Sequence, residues 1–184
     1  MTIINGERIN LKFASIDHMR TVYDLLVAED IKDFIFKDNY PAPTWKEFQD
    51  DEVGYFNGCA TKDGNYLLIE YRGEVAGSIS YANGYEKRKY SELDIWLSSK
   101  HLGLGLGTEA ILLLREFVHN EYGIDEFIIR PWKKNINAVK AYHKCGFHED
   151  TTFDISQYYS DEDLEEYGDG DYGVEETLNL VMRY

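Results

Sequence analysis

HLGLGLGT, His101 to Thr108, sits between an alternating run, SELDIWLS, and a long apolar run that starts at Glu109. Its glycines Gly103, Gly105 and Gly107 let the backbone approach a bulky anionic group. The helix expected to follow aims free N–H groups and its positive dipole end at that group. Such a turn suits a pyrophosphate, but dinucleotide folds, phosphate loops and plain tight turns all use it. The flanking sequence decides among them.

Upstream, Ile9 to Ala14 reads as a first strand, and Ser15 offers an N-cap for a helix over Ile16 to Ala28. A second helical piece covers Ile31 to Phe36, the Pro-containing stretch Asp38 to Trp45 is a loop, and Trp45 to Phe56 is helical again. YLLIEYR, Gly73 and EVAGSISYA form two strands joined by a tight turn at Arg72 and Gly73. A polar connection, Tyr85 to Tyr90, leads to a strand from about Glu92 to Leu97. Downstream, Glu109 to Glu121 is a strongly apolar helix stopped by Gly123, and Glu126 to Arg130 is a buried strand ended by Pro131. Asn135 caps a helix carrying Val139, Tyr142 and Cys145 before Gly146. A strand near Phe147 to Phe153, an acidic loop at about residues 155–174 and a closing strand from Glu176 to Tyr184 complete the chain. Hairpins followed by strand, helix, strand, helix predict an α/β fold, a mixed sheet with helices on both faces.

The 184 residues, 43% hydrophobic and rich in Tyr and Phe, suffice for one core, so residues 1–184 read as a single domain. No apolar run reaches the ~18 residues of a membrane span. MTIINGERINLKF lacks a basic-then-apolar export pattern, so a cytoplasmic location is expected. Cys59 and Cys145 are too few for a disulfide framework, and the five histidines lack ligand spacing, so no metal is predicted. Of the net charge of −15, most comes from Glu149 to Glu176, which contains no Lys or Arg. Lys100, Arg130, Lys133, Lys134, Lys140 and Lys144 gather instead around and after the turn. This distribution disfavours a nucleic-acid partner while leaving the turn able to meet phosphate.

LDIWLSSKHLGLGLGTEAILLLREF, followed by IIRPWKKNINAVKAYHKCGF, resembles the GNAT superfamily of acyl-CoA-dependent N-acyltransferases, best from Tyr66 to Phe147. The resemblance implies a single-domain, mostly antiparallel sheet of six or seven strands, splayed between its two central strands. It also implies acetyl-CoA as cosubstrate. The family turn reads Arg or Gln, two residues, Gly, any residue, Gly or Ala. Gly105 and Gly107 match its small positions, and Leu102 departs from its polar one. Gly103, Leu104, Leu106 and Thr108 complete the cofactor-binding turn, with the backbone N–H groups as the remaining donors. Asn135 matches the cofactor-contacting cap, and Leu97 the residue whose backbone pairs with the pantetheine arm and opens the splay. Tyr142, about two turns beyond Asn135, matches the Tyr that protonates the leaving thiolate.

An ammonium must lose a proton before attacking a thioester, and Asp94 is the leading base, with Glu92 or a water chain as alternatives. Within the superfamily the likeness is nearest to aminoglycoside 6′-N-acetyltransferases. Asp94 matches an acidic position of that subgroup, while Trp45 and Tyr81 offer aromatic walls for the acceptor. Arg130 stands where that subgroup usually carries Asp. The acidic segment Asp161 to Asp171 is either a clamp for a cationic sugar or polyamine or a solvated loop. The partner implied is thus a small amine, with no nucleic acid and no membrane, acting on a monomer or homodimer. A peptide or protein N-terminal acetyltransferase and a non-catalytic acyl-CoA-binding module are the alternatives.

Overall fold

Arg72 and Gly73 both take positive φ, 52° and 81°, closing the hairpin between β3 (Gly64–Tyr71) and β4 (Glu74–Gly84). Positive φ at both central positions matches the right-handed twist of the flanking strands. In this computed structural model residues 3–38 and 40–184 are described. Met1, Thr2 and Asn39 lie outside them, as do the parts of the single-domain reading and of the Asp38 to Trp45 loop that fall there.

β1 (Ile3–Asn5), β2 (Ile9–Phe13), β3, β4, β5 (Tyr90–Leu97), β6 (Glu126–Ile129), β7 (His148–Glu149) and β8 (Leu180–Arg183) form one sheet in the order β1-β2-β3-β4-β5-β6-β8-β7. All pairings are antiparallel except β5 with β6. The sheet is larger than the expected six or seven strands because the short edge piece β1 also pairs, while the strand expected near Phe147 to Phe153 is present only as the two residues of β7. At three residues β1 is too brief to show a period-2 pattern in sequence.

The helices divide between the two faces. Leu106, Ala110, Ile111, Leu114 and Val118 of α4 (Leu106–Tyr122) pack on one, together with Tyr142 and Cys145 at the end of α5 (Ile136–Lys144). On the other, Met19, Val22 and Leu26 of α1 (Met19–Leu26) meet Phe48 of α3 (Trp45–Glu52), close to the single turn α2 (Lys32–Ile35). The predicted first helix begins instead with a 3-10 turn, Ile16–His18. Its Ala28 end is also shorter, since α1 stops at Leu26. The segment expected to be an acidic loop holds a helix, α6 (Asp161–Tyr167), whose Ser160 hydroxyl accepts the Asp163 N–H at 3.0 Å. Three acids in its first turn favour the dipole end, a local reason for helix in a stretch without apolar periodicity. Among the described residues no helix is long and apolar enough to cross a membrane.

Candidate active site

The parallel pairing of β5 with β6 extends only over Ser91↔Phe127 and Glu92↔Ile128, and Pro131 follows soon after β6. Past Glu92 the two strands part. Ser98 donates its N–H to Ala76 O of β4 at 2.9 Å, so by strand alternation the N–H and C=O of Leu97 point to the opened edge. Gly77 lies opposite Leu97, where a Cβ would come within 2.2 Å of Trp96 O. Glycine there lets β4 press against the splayed strand.

At the end of β5 the chain enters the glycine turn. Gly103 and Gly105 take φ of 73° and 77°, conformations that a side chain resists, and Gly105 is the N-cap of α4. Nothing lies within 4 Å of the Cβ position of Gly103, so that face of the turn is open. At Gly107 a Cβ would meet Leu97 Cδ1 at 3.3 Å, so the first turn of α4 abuts the splay. The N–H groups of Leu106, Gly107 and Thr108 have no acceptor within their own helix, as at any helix start. Leu106 is fully buried, whereas Leu102 and Leu104 are exposed on the outer side. An open glycine face, free N–H groups and an adjoining strand edge fit an elongated thioester carrying a pyrophosphate.

Across the splay, Asn135 accepts the Ala138 N–H at 3.3 Å and caps α5. That helix brings Tyr142 to the wall of a cavity of about 550 Å³. Asp94, Glu92 and Trp96, alternating on β5, line the same cavity, as do Glu52 of α3 and Asp171 of the tail. Tyrosines 40, 55, 66, 90, 159, 167 and 172 supply much of the remaining wall. Arg130 is the only cationic side chain among the described lining residues.

Asp94 accepts the N–H of Ile95 at 2.8 Å, which folds its carboxylate over the strand toward the splay. Its pKa is raised to about 7, first by burial and then by the charge of Asp171, against the Ile95 hydrogen bond. The side chain keeps accessible surface because it faces the cavity, yet the enclosing protein thins the water that would solvate its charge. Glu92, Glu52 and Asp171 are likewise raised, each by burial foremost. Glu92 accepts the Tyr159 hydroxyl at 2.5 Å, and Arg130 offsets part of its shift. Burial, then the charge of Asp94, drives the Tyr142 phenol well above its ordinary range.

Two expected wall residues lie elsewhere. Tyr81 pairs with Leu93 and so shares the α4 face, where its hydroxyl donates to Thr61 O at 2.6 Å; its neighbour Ser80, opposite Asp94, faces the cavity. Trp45 packs behind the wall, edge-on to Tyr23 at 5.2 Å and beneath the Arg20 guanidinium, while Pro43 and Phe48 line the cavity. Arg130 points into the tail. It donates to Asn179 Oδ1 at 3.0 Å, to Tyr159 Oη at 3.2 Å, and to the carbonyls of Tyr167 and Gly168 at 2.9 and 2.6 Å. These bonds hold the tail against β6 and bring Tyr167, Asp171 and Tyr172 to the cavity. In the acidic segment, Asp163 and Asp171 face inward, whereas Asp161 meets Lys87 at the surface at 2.6 Å. Glu52 and Tyr159 were missed by sequence reasoning: WKEFQDDE looks like a solvated helix, and no local signal marks Tyr159.

A splayed mixed sheet with a glycine turn at a helix start, and a carboxylate and a phenol lining the gap, is the frame of an acyl-transfer enzyme. The chain belongs to the acetyltransferase (GNAT) domain family, whose model matches residues 8–148. No curated protein sequence matches it. Among solved structures it is similar to aminoglycoside acetyltransferase AAC(6′)-Ib in complex with coenzyme A and kanamycin, at 17% identity and a TM-score of 0.69, covering 95% of this chain and 94% of that one. It is similar to spermidine N-acetyltransferase from Vibrio cholerae in complex with CoA and spermine, at 16% identity and TM-score 0.69 over 97% and 96% of the chains. The ribosomal L7/L12 alpha-N-protein acetyltransferase RimL, in complex with coenzyme A, gives 16% identity and TM-score 0.70 over 99% and 97%. At these identities the likeness is one of fold.

Proposed function

We propose that this acetyltransferase moves the acetyl group of acetyl-CoA to a primary amine of a small cationic substrate, a polyamine or an aminoglycoside-like sugar. The observation that carries this reading is the cavity, in which four carboxylates, Glu52, Glu92, Asp94 and Asp171, face tyrosine walls against one cation, Arg130, whose guanidinium is engaged by the carbonyls of Tyr167 and Gly168. Carboxylates stripped of water attract ammonium groups strongly, and tyrosine faces add cation–π attraction.

Bound acetyl-CoA supplies an activated carbonyl and a thiol leaving group. The N–H groups of Leu106, Gly107 and Thr108 bind its pyrophosphate at the dipole end of α4. The Leu97 N–H, on the open edge of β5, donates to the carbonyl oxygen as charge develops there. Asp94, poised at about 7, accepts the proton of the incoming ammonium at its carboxylate. Tyr142 Oη gives its proton to the departing sulfur, and its raised pKa keeps that proton in place until then.

The test is acetyl-CoA consumption across spermine, spermidine, kanamycin, monoamines and a neutral peptide with a free N-terminus. Multiply charged amines are expected to give kcat/KM at least about tenfold above monoamines, the effect of one added charge pair in a partly desolvated site. A preference for the peptide, or coenzyme A binding without turnover on any amine, overturns the assignment.

A further inference from the structure

The departure at Leu102 leaves the turn without the polar side chain its family pattern carries, and a residue far away in sequence reaches the same place. Arg8, in the β1–β2 connection, donates from Nη1 to Leu104 O at 2.7 Å and from Nη2 to Gly105 O at 3.2 Å. Its Nε donates to Glu109 Oε2 at 2.7 Å. Glu109 Oε1 accepts the backbone N–H groups of Arg8 and Ile9 at 2.8 and 3.3 Å, so the first turn of α4 seats the hairpin from which Arg8 reaches. The hairpin presses close: a Cβ on Gly6 would come within 2.6 Å of Leu113 Cδ1 and 2.8 Å of Glu109 Oε1.

Given the coenzyme A reading above, on which this step rests, we propose that Arg8 is the positioning residue of the pyrophosphate turn. In a trans peptide the carbonyl of one residue and the N–H of the next point in opposite directions. Drawing the Leu104 carbonyl inward therefore turns the Gly105 N–H outward, and holding Gly105 O does the same for Leu106. Arg8 also neutralises the inward carbonyl dipoles, which otherwise soften the field an anion meets. Its planar fork grips two successive carbonyls at once, which a lysine ammonium does less well. The turn is thereby set for phosphate before ligand arrives.

Titration calorimetry of coenzyme A tests this in the full chain, together with backbone NMR relaxation in the ligand-free protein. Arg8→Met is expected to raise the coenzyme A Kd about tenfold, the effect of losing a charge-assisted hydrogen bond. Backbone order at Gly105 and Leu106, read as NMR order parameters, should fall, with acceptor KM unchanged. Arg8→Lys should lose less affinity and serves if Arg8→Met does not fold. Lys12→Met, which removes the Lys12–Glu70 ion pair from β2, should leave the Kd as it is and controls for a loosened hairpin. Wild-type affinity in a folded Arg8 variant, or an equal loss in Lys12→Met, overturns the role of Arg8 while leaving the coenzyme A site intact. No coenzyme A binding by the wild type overturns the pyrophosphate reading beneath it.

Discussion

In the proposed function the donor side is built mainly from consecutive residues, His101 to Thr108, at the start of one long helix. The acceptor side draws its walls from α2, α3, β4, β5, β6, α5 and the tail. The difference teaches where specificity can change. A glycine turn meets an anion through backbone N–H groups, so a side chain such as Leu102 can depart from the family pattern without removing them. The cavity works through side chains held by distant partners, so altering one anchor remodels its chemistry.

Substitutions separate the two sides. The largest expected effect falls where they meet: Asp94→Asn or Tyr142→Phe should lower kcat by about 10²- to 10⁴-fold with coenzyme A affinity unchanged, the usual cost of losing a positioned acid or base. In the wild type kcat/KM should rise with pH through about 7 as Asp94 ionises, and Asp94→Asn should abolish that limb. A retained limb in a pH–rate profile points to Glu92 or water instead. Next comes the donor side alone. Gly105→Val puts a β-branched residue at φ 77° and a side chain against the Arg8 guanidinium, whose Nη2 is 3.4 Å from the Cβ position, and by distorting the turn should weaken coenzyme A by about 100-fold. Calorimetry showing normal affinity breaks the division.

On the acceptor side, Arg130→Met should raise amine KM about tenfold, because the carbonyls of Tyr167 and Gly168 lose their charge-assisted donor and the tail loosens. Coenzyme A affinity should not follow, and a matching loss there would show that the sides are coupled. The smallest effect is on stability. Asp94 has a native pKa of about 7 against an ordinary unfolded value of about 3.9, so its contribution to stability falls as pH rises from about 4 to 7. Asp94→Asn should therefore raise Tm at pH 8 by no more than about 2–4 °C, cavity water screening the rest, and leave it unchanged at pH 4.

Much of the donor side was legible because its signals are local. Positive-φ glycines, an Asn cap and an apolar helix announce themselves within a few residues, and Gly123, with φ 61°, ends α4 where expected. The wall residues were harder for the same physical reason. Tyr81 looks available in sequence, but its pairing with Leu93 turns it toward α4, and a one-residue step in a strand reverses the face. Arg130 looks like a charge change in the pocket, yet its donors are engaged by carbonyls 37 and 38 residues further along the chain.

The sequence by itself determined most of the strands and helices, though not β1 or α6, and the glycine turn, since each depends on periodicity and spacing along the chain; an acyl-transfer fold, with Asp94 and Tyr142 as its candidate residues, was implied by the resemblance to a known family. Only the tertiary structure decided which acids share one cavity, what holds the tail over it, and that Arg8 grips the turn. Those outcomes depend on contacts between residues far apart in sequence, and on burial that raises a carboxylate's pKa only once the walls have closed around it.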